Sequence, residues 1–287
     1  MKDYLLFMDV SGDVDQSYVQ EKGVKLLPMD LTIDDRVETY TADGKGMDLV
    51  KFYDAIKAKK VVTTTQITPN GYEECFRPYL AQGYSCLYLG ISKGLSSAYQ
   101  SSLVAVKNLK KEFPDVDLVS VDTDLTTTPL GLLAERMVEN KKKGLTLEQN
   151  VADLNAIKTK IKGYVFVDDL QALKRGGRIS AATAFFGSIL NIKPIITIYD
   201  GTLHLIDKQK GARNSMVRLC KYFQENYNPE ISKSVYIADA CEPANVAVLE
   251  KMIKEIAPDC QIKKCFITPI VGAHLGSGAV ILSFFGK

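Results

Sequence analysis

Three hydroxyls stand in a row at Thr63, Thr64 and Thr65, inside the segment Val62-Thr-Thr-Thr-Gln-Ile-Thr-Pro69. Thr68 suits a helix N-cap and Pro69 the first helical position, so these hydroxyls sit just ahead of a helix. A second segment, Leu89-Gly-Ile-Ser-Lys-Gly-Leu-Ser-Ser97, runs from an apolar stretch into a helix carrying Tyr99 and Gln100. A Gly/Ser turn there presents free backbone N–H groups and the positive end of the helix dipole, which together attract an anion. In a third segment, Pro269-Ile-Val-Gly-Ala-His-Leu-Gly-Ser-Gly278, one imidazole is hedged by glycines. Glycine allows backbone to approach a ligand closely, so His274 is expected to touch one. The fourth segment, Lys174-Arg-Gly-Gly-Arg178, is a compact basic turn whose arginines either bind an anion or satisfy nearby carbonyls.

Hydroxyls, helix-end amides, one imidazole and one or two guanidinium groups, without a carboxylate pair or an activated thiol, make a kit for holding an anion. No catalytic residue and no metal ligand is expected. The spacings GxxxxGK[ST] and GxGxxG occur nowhere, so the chain has no phosphate loop for ATP. Asp9 and Asp13 evoke a phosphatase nucleophile, but they lack the DxD spacing that holds Mg²⁺. The six cysteines form no CxxC pair and there are only two histidines, which argues against zinc and for reduced thiols in the cytoplasm. His204, between Leu203 and Leu205, reads as an ordinary strand residue.

Open α/β sheets bind ligands beyond the carboxyl ends of their strands, so the surrounding elements decide whether these segments meet. Short Val, Ile, Leu and Tyr runs alternate with amphipathic stretches, the pattern of an α/β fold. Strands are predicted over 4–8, 25–33, 85–91 and 116–121, and helices over 47–58, 69–81, 97–112, 127–139 and 147–160. These form a first domain, 1–160, with a mainly parallel sheet. Beyond it lie a strand at 164–167, an apolar helix at 181–190, and two runs at 194–198 and 202–205 around the hairpin dipeptide Asp200-Gly201. A helix over 212–227, a strand over 234–238, a helix over 244–256 and strands over 261–268 and 279–285 complete a second α/β domain, 161–287, with a mixed sheet.

Across 287 residues, 36 Lys+Arg balance 34 Asp+Glu to a net charge of +2. That leaves no global basic field to attract nucleic acid or anionic membrane. The apolar run at the start is too short for a signal peptide and is flanked by Asp3 and Asp9, and no stretch approaches about 20 apolar residues.

The segments together resemble the DegV family along nearly the whole chain. Thr64-Thr65-Gln66 with Thr68-Pro69 is similar to the family's TSQPSP, ISKGLSSAYQSS from Ile91 to its ISSGLSGTYQSA, and RGGRIS from Arg175, LNIKPIITI from Leu190 and VGAHLGSGA from Val271 follow in the family's order. The resemblance implies two α/β domains with a long-chain fatty acid between them as ligand and no other cofactor. It implies that Thr64 and Ser96 hold the carboxylate, with Thr65, Ser92 and His274 close to the head group, and that Arg175 and Arg178 form the family's arginine turn. Such proteins are similar to the fatty-acid-binding subunit of bacterial fatty acid kinase, which presents the acid to a separate ATP-dependent kinase subunit and carries away the acyl phosphate. The partners expected are therefore the fatty acid and the kinase subunit, with transient membrane contact for lipid exchange and no nucleic acid. The helix at 181–190, with Phe185, Phe186, Ile189 and Leu190, is either a wall of the acyl tunnel or plain core.

Two departures from the family stand out. Its opening resembles TDST, whereas this chain reads Met8-Asp9-Val10-Ser11-Gly12, which leaves the roles of Asp9 and Ser11 open. A dense basic cluster that faces the kinase is thinned here to Lys208-Gln-Lys-Gly-Ala-Arg-Asn214, so Lys210 and Arg213 are the docking residues to test. Two other functions stay open: a kinase substrate domain for a small ketone such as dihydroxyacetone, and a lipid sensor that works without a kinase.

Overall fold

The structure is a computed structural model that describes residues 3–14, 23–41, 46–168, 170–178 and 191–287. Strand β1 (Tyr4–Asp9) is a nearly continuous buried apolar run, as expected of a strand covered on both faces. It pairs in parallel with β2 (Val24–Leu27) and β6 (Ser85–Gly90), and β6 pairs in parallel with β7 (Leu118–Asp122), giving the order β2-β1-β6-β7. A second, antiparallel sheet has the order β4-β3-β5, from β3 (Met29–Ile33), β4 (Arg36–Tyr40) and β5 (Val62–Thr65). The single strand predicted over 25–33 is thus two strands in different sheets. Pro28 separates them, because it has no N–H to give a ladder and ends the pairing of β2.

The helices of this half begin where their caps direct. Asp48 accepts from Val50 N and Lys51 N ahead of α1 (Leu49–Lys57), and Thr68 accepts from Gly71 N ahead of α2 (Pro69–Leu80). Next come α3 (Ala98–Glu112) and α4 (Thr127–Lys142), then α5 (Leu147–Ile157), which opens on a capping box between Thr146 and Gln149. The last helical turn expected up to residue 160 is instead a separate 3₁₀ turn, Lys158–Lys160.

The third sheet is mixed and six-stranded, in the order β10-β9-β8-β13-β11-β12. It comprises β8 (Ile161–Phe166), β9 (Ile192–Tyr199), β10 (Thr202–Lys210), β11 (Ser234–Asp239), β12 (Gln261–Phe266) and β13 (Val280–Phe285). Only β11 and β12 pair in parallel; the other neighbours are antiparallel. Asp200 and Gly201 both take positive φ (50° and 71°), the two-residue turn expected between β9 and β10. Helices α6 (Leu170–Gly176), α7 (Ala212–Asn226), α8 (Pro243–Ile256) and α9 (Pro269–Leu275) accompany this sheet. The segment expected as a glycine-rich loop around His274 is therefore a short helix. The apolar helix expected over 181–190 lies outside the described residues.

Helix α4 stands between the sheets and is buried along most of its length, touching β1 on one side and β8, β11 and β13 on the other. Its Glu135, buried between them, pairs with Lys263 Nζ at 2.6 Å and accepts from the Tyr236 hydroxyl. No helix among the described residues is long and apolar enough to cross a membrane.

Candidate functional site

A cavity of ≈ 90 Å³ opens between the carboxyl ends of β1 and β6 and the inner face of the six-stranded sheet. Most of its wall is apolar, with Met29, Ile91 and Leu95 from the first half of the chain and Val165, Ile196 and Ile281 from the six-stranded sheet. At one place four polar side chains from four segments enter the wall, Thr64, Ser96, Arg178 and His274. All four were expected from sequence.

His274 lies in the last turn of α9 and its ring is held from both nitrogens. Nδ1 lies 3.1 Å from the Gly176 carbonyl oxygen, and Nε2 lies 2.9 Å from Thr64 Oγ1. A carbonyl only accepts, so the proton of the neutral ring is assigned to Nδ1, and Nε2 accepts from the Thr64 hydroxyl. Burial, then the neighbouring Arg178 charge, push the imidazole pKa down to about 4 against the opposing pull of the Gly176 carbonyl. The approach requires glycine at 176, where a Cβ would lie 2.9 Å from His274 Cα.

Thr64 reaches the cavity because the pleat of β5 alternates. Thr64 points inward against β3, while Thr65, its neighbour, is exposed and absent from the wall. Ser96 Oγ accepts from Ala98 N at 3.2 Å, which leaves its proton to donate to a ligand. The α3 N-cap, Ser97, makes no side-chain capping bond. Arg178 combines both readings of the basic turn: it lines the cavity, and it donates to Gly176 O (Nη1, 2.9 Å) and Leu95 O (Nε, 3.4 Å). Arg175 is exposed and not in the wall.

Ser92 has a different task from the one its neighbourhood suggested. It is fully buried, and its hydroxyl donates to Gly201 O at 2.6 Å while accepting from Gly94 N at 3.1 Å. It clasps the loop after β6 to the β9–β10 turn instead of facing the cavity. Lys210 and Arg213 are exposed at the end of β10 and in the first turn of α7, outside the cavity wall. His204 is an exposed strand residue bonded to Thr202 Oγ1 and Tyr199 O.

The turn after β1 is built on buried polar groups. Asp9 accepts from Ser11 N at 2.9 Å and from the Tyr88 hydroxyl at 2.5 Å, and Tyr72 continues the chain 2.8 Å beyond. Asp13 accepts from Thr268 N at 2.8 Å, tying this turn to the start of α9, and its burial pushes its pKa up to about 7. Two polar wall residues escaped the sequence reading, Thr126 and Thr127, and a third, Ser11, was named there with its role left open. Thr126 and Thr127 repeat the pattern of hydroxyls just ahead of a helix that singled out Thr64, and this was the available signal.

The sequence matches the model of the DegV family, described as uncharacterised proteins, over residues 5–287. The chain belongs to the DegV family. A DegV domain-containing protein of Clostridium perfringens is 31% identical over 287 residues, covering 100% of this chain and 98% of the relative. Among solved structures, a DegV lipid-binding protein from Thermotoga maritima superposes with a TM-score of 0.86 at 22% identity, covering 100% of this chain and 99% of that one. The fatty acid kinase B3 protein of Streptococcus pneumoniae, loaded with linoleic acid, gives a TM-score of 0.87 at 18% identity, covering 99% and 100%. The DegV fold of the whole chain, a parallel sheet and a mixed sheet on either side of a cavity, agrees with the α/β architecture expected from sequence.

Proposed function

We propose that this DegV protein binds a long-chain fatty acid, with the carboxylate at Thr64, Ser96, Arg178 and His274 and the chain running into the apolar part of the cavity. The observation that carries the reading is the meeting of four polar side chains from four segments at one place in a mostly apolar wall. A carboxylate on an alkyl chain is the ligand with that distribution, and the similarity to a DegV lipid-binding protein and to the linoleic-acid-loaded fatty acid kinase B3 protein supports it. Burying about 15 methylenes is worth on the order of 12 kcal/mol, which offsets the cost of association and ordering. The alkyl chain lies against the apolar part of the wall, Met29, Ile91, Leu95, Val165 and Ile196 among it.

In this reading residues 1–160 and 161–287 are two domains that close on the acid. The chain is a carrier in the cytoplasm, with transient membrane contact for lipid exchange and no need of a cofactor. A separate kinase subunit brings ATP; the bound carboxylate oxygen attacks the γ-phosphoryl group, giving acyl phosphate and ADP. The carrier's part is to hold and orient the carboxylate. Lys210 and Arg213, both exposed, are the residues we assign to docking of that subunit.

Native mass spectrometry of the purified protein, followed by extraction and identification of its ligand, tests the binding reading. A long-chain acid is expected, and a small ketone in its place would overturn it in favour of the substrate-domain function. Acyl phosphate formation with the cognate kinase and ATP tests the second half. Charge reversal at Lys210 or Arg213 is expected to lower that rate. A fatty acid bound without any acyl phosphate formation would identify a lipid sensor.

A further inference from the structure

The cavity wall carries a second set of polar atoms, distinct from the four that meet at His274. Ser11 is fully buried, lines the cavity, and its Oγ has no hydrogen-bond partner. Buried hydroxyls are nearly always bonded, because an unpaired one forfeits its hydration without return. The backbone around it is fixed from two sides. Ser11 N donates to Asp9 Oδ1 at 2.9 Å, and Ser11 O accepts from Thr127 N at 2.8 Å and from Thr126 Oγ1 at 3.4 Å.

Thr127 itself is strained. It has φ 55°, a left-handed conformation that a β-branched residue rarely adopts, yet it is buried in the cavity wall at the start of α4. The N-cap of this helix, Thr126, makes no side-chain capping bond. An unpaired hydroxyl, a strained threonine and the positive end of a 16-residue helix therefore face the same space. Among the described residues no hydrogen bond joins any of them to Thr64, Ser96, Arg178 or His274.

We propose that Ser11, with Thr126 and Thr127, forms a second subsite in the acyl cavity that binds an oxygen on the chain itself, so that the protein prefers a hydroxylated fatty acid to a plain one of equal length. The inference rests on the fatty-acid reading above. A chain hydroxyl fits better than a carbonyl, because Ser11 Oγ both donates and accepts and a hydroxyl answers both. Chains whose hydroxyl falls against the apolar wall lose its hydration and bind less well than the plain acid.

The test measures the affinities of palmitate and a positional series of hydroxypalmitates by displacement of a fluorescent fatty acid. One positional isomer is expected to bind about fivefold or more tightly than palmitate, the worth of one good hydrogen bond. In Ser11→Ala the ratio of the two affinities falls to about one. Thr126→Val, which perturbs the turn by another route, should reduce the same ratio. The thermal midpoint of Ser11→Ala should equal or exceed that of the wild type, since the hydroxyl removed has no partner. The proposal is overturned if palmitate binds as well as every isomer, as it would if Ser11 held only a buried water, or if the preference survives both substitutions. If neither palmitate nor any isomer binds, the fatty-acid reading itself has failed and the subsite falls with it.

Discussion

Thr64 Oγ1 and His274 Nε2 stand 2.9 Å apart with 210 residues between them in the chain. The only hydrogen between the two atoms belongs to Thr64, because the His274 proton is spent on the Gly176 carbonyl. An arriving carboxylate needs that hydrogen for itself. When Thr64 turns its hydroxyl to the ligand, the buried Nε2 loses its donor, a cost avoided if His274 takes up a proton there and donates back.

Fatty-acid binding is therefore expected to take up protons. The imidazole pKa of about 4 rises when a carboxylate is placed beside it, so the affinity should fall as pH rises through the interval between the two values. Above about pH 6 the free acid is already ionised, and any slope there belongs to the protein. Titration calorimetry in buffers of different ionisation enthalpy reads the proton count directly. His274→Ala should abolish the slope and weaken binding about tenfold, and a flat profile in the wild type would remove the proton-uptake mechanism.

The alternation of β5 makes a sharper contrast. Thr64→Val and Ser96→Ala each remove a hydrogen bond to a charged group, worth about 1.5–3 kcal/mol, or roughly 10- to 100-fold in affinity. Thr65→Val, on the exposed side of the same strand, should change affinity less than about twofold. Equal losses at 64 and 65 would mean that the head group sits elsewhere.

Gly94 tests the clasp between the two halves of the chain. A Cβ at this position would lie 2.5 Å from Gly201 O and 3.0 Å from Thr202 Cγ2, and the obstructing oxygen is backbone that cannot swing away. Gly94→Ala should cost about 1–3 kcal/mol in urea unfolding. Ser92→Ala should cost a similar amount, since it leaves Gly201 O without its 2.6 Å donor. Both should also weaken acyl binding, because the same loop carries Ser96. Stability unchanged in both variants would show that the clasp does not hold the halves together.

Much of this was legible in the chain, and the failures have definite causes. The four polar segments were visible because Gly, Pro and hydroxyl residues mark helix starts, and Thr68 and the Asp200-Gly201 turn behave as their types dictate. The helix under His274 was missed because three glycines interrupt 269–278, although Pro269 at its first position and Gly276 with φ 83° just past its end are ordinary start and stop signals. Which of several adjacent hydroxyls faces the cavity was not legible. Pleat phase decides between Thr64 and Thr65, and the turn geometry between Ser92 and Ser96. The role of Ser11 stayed open for another reason: its lack of a partner is a property of packing from β1 and α4, which are far apart in sequence.

Asp13 and His274 should tilt stability against pH in opposite directions. His274 has its pKa lowered from 6.5 to about 4 by burial first and Arg178 second, so between those values the folded protein binds fewer protons than the unfolded chain. Its contribution to stability therefore rises with pH over that window. Asp13 has its pKa raised by burial from 3.8 to about 7, so the folded protein binds more protons, and its contribution falls as pH rises through the same range. In the wild type the two slopes largely cancel between pH 4 and 6.5. Asp13→Asn keeps an oxygen for Thr268 N and removes the ionisation, so its stability relative to wild type should climb from about pH 4 to a plateau above pH 7, by up to about 4 kcal/mol. His274→Gln removes the opposing slope, and its stability relative to wild type should fall over pH 4 to 6.5. Urea denaturation of the three proteins at intervals across this range measures both difference curves. If the Asp13→Asn curve is level, the carboxyl is not the buried, proton-retaining group that its place between β1 and α9 makes it.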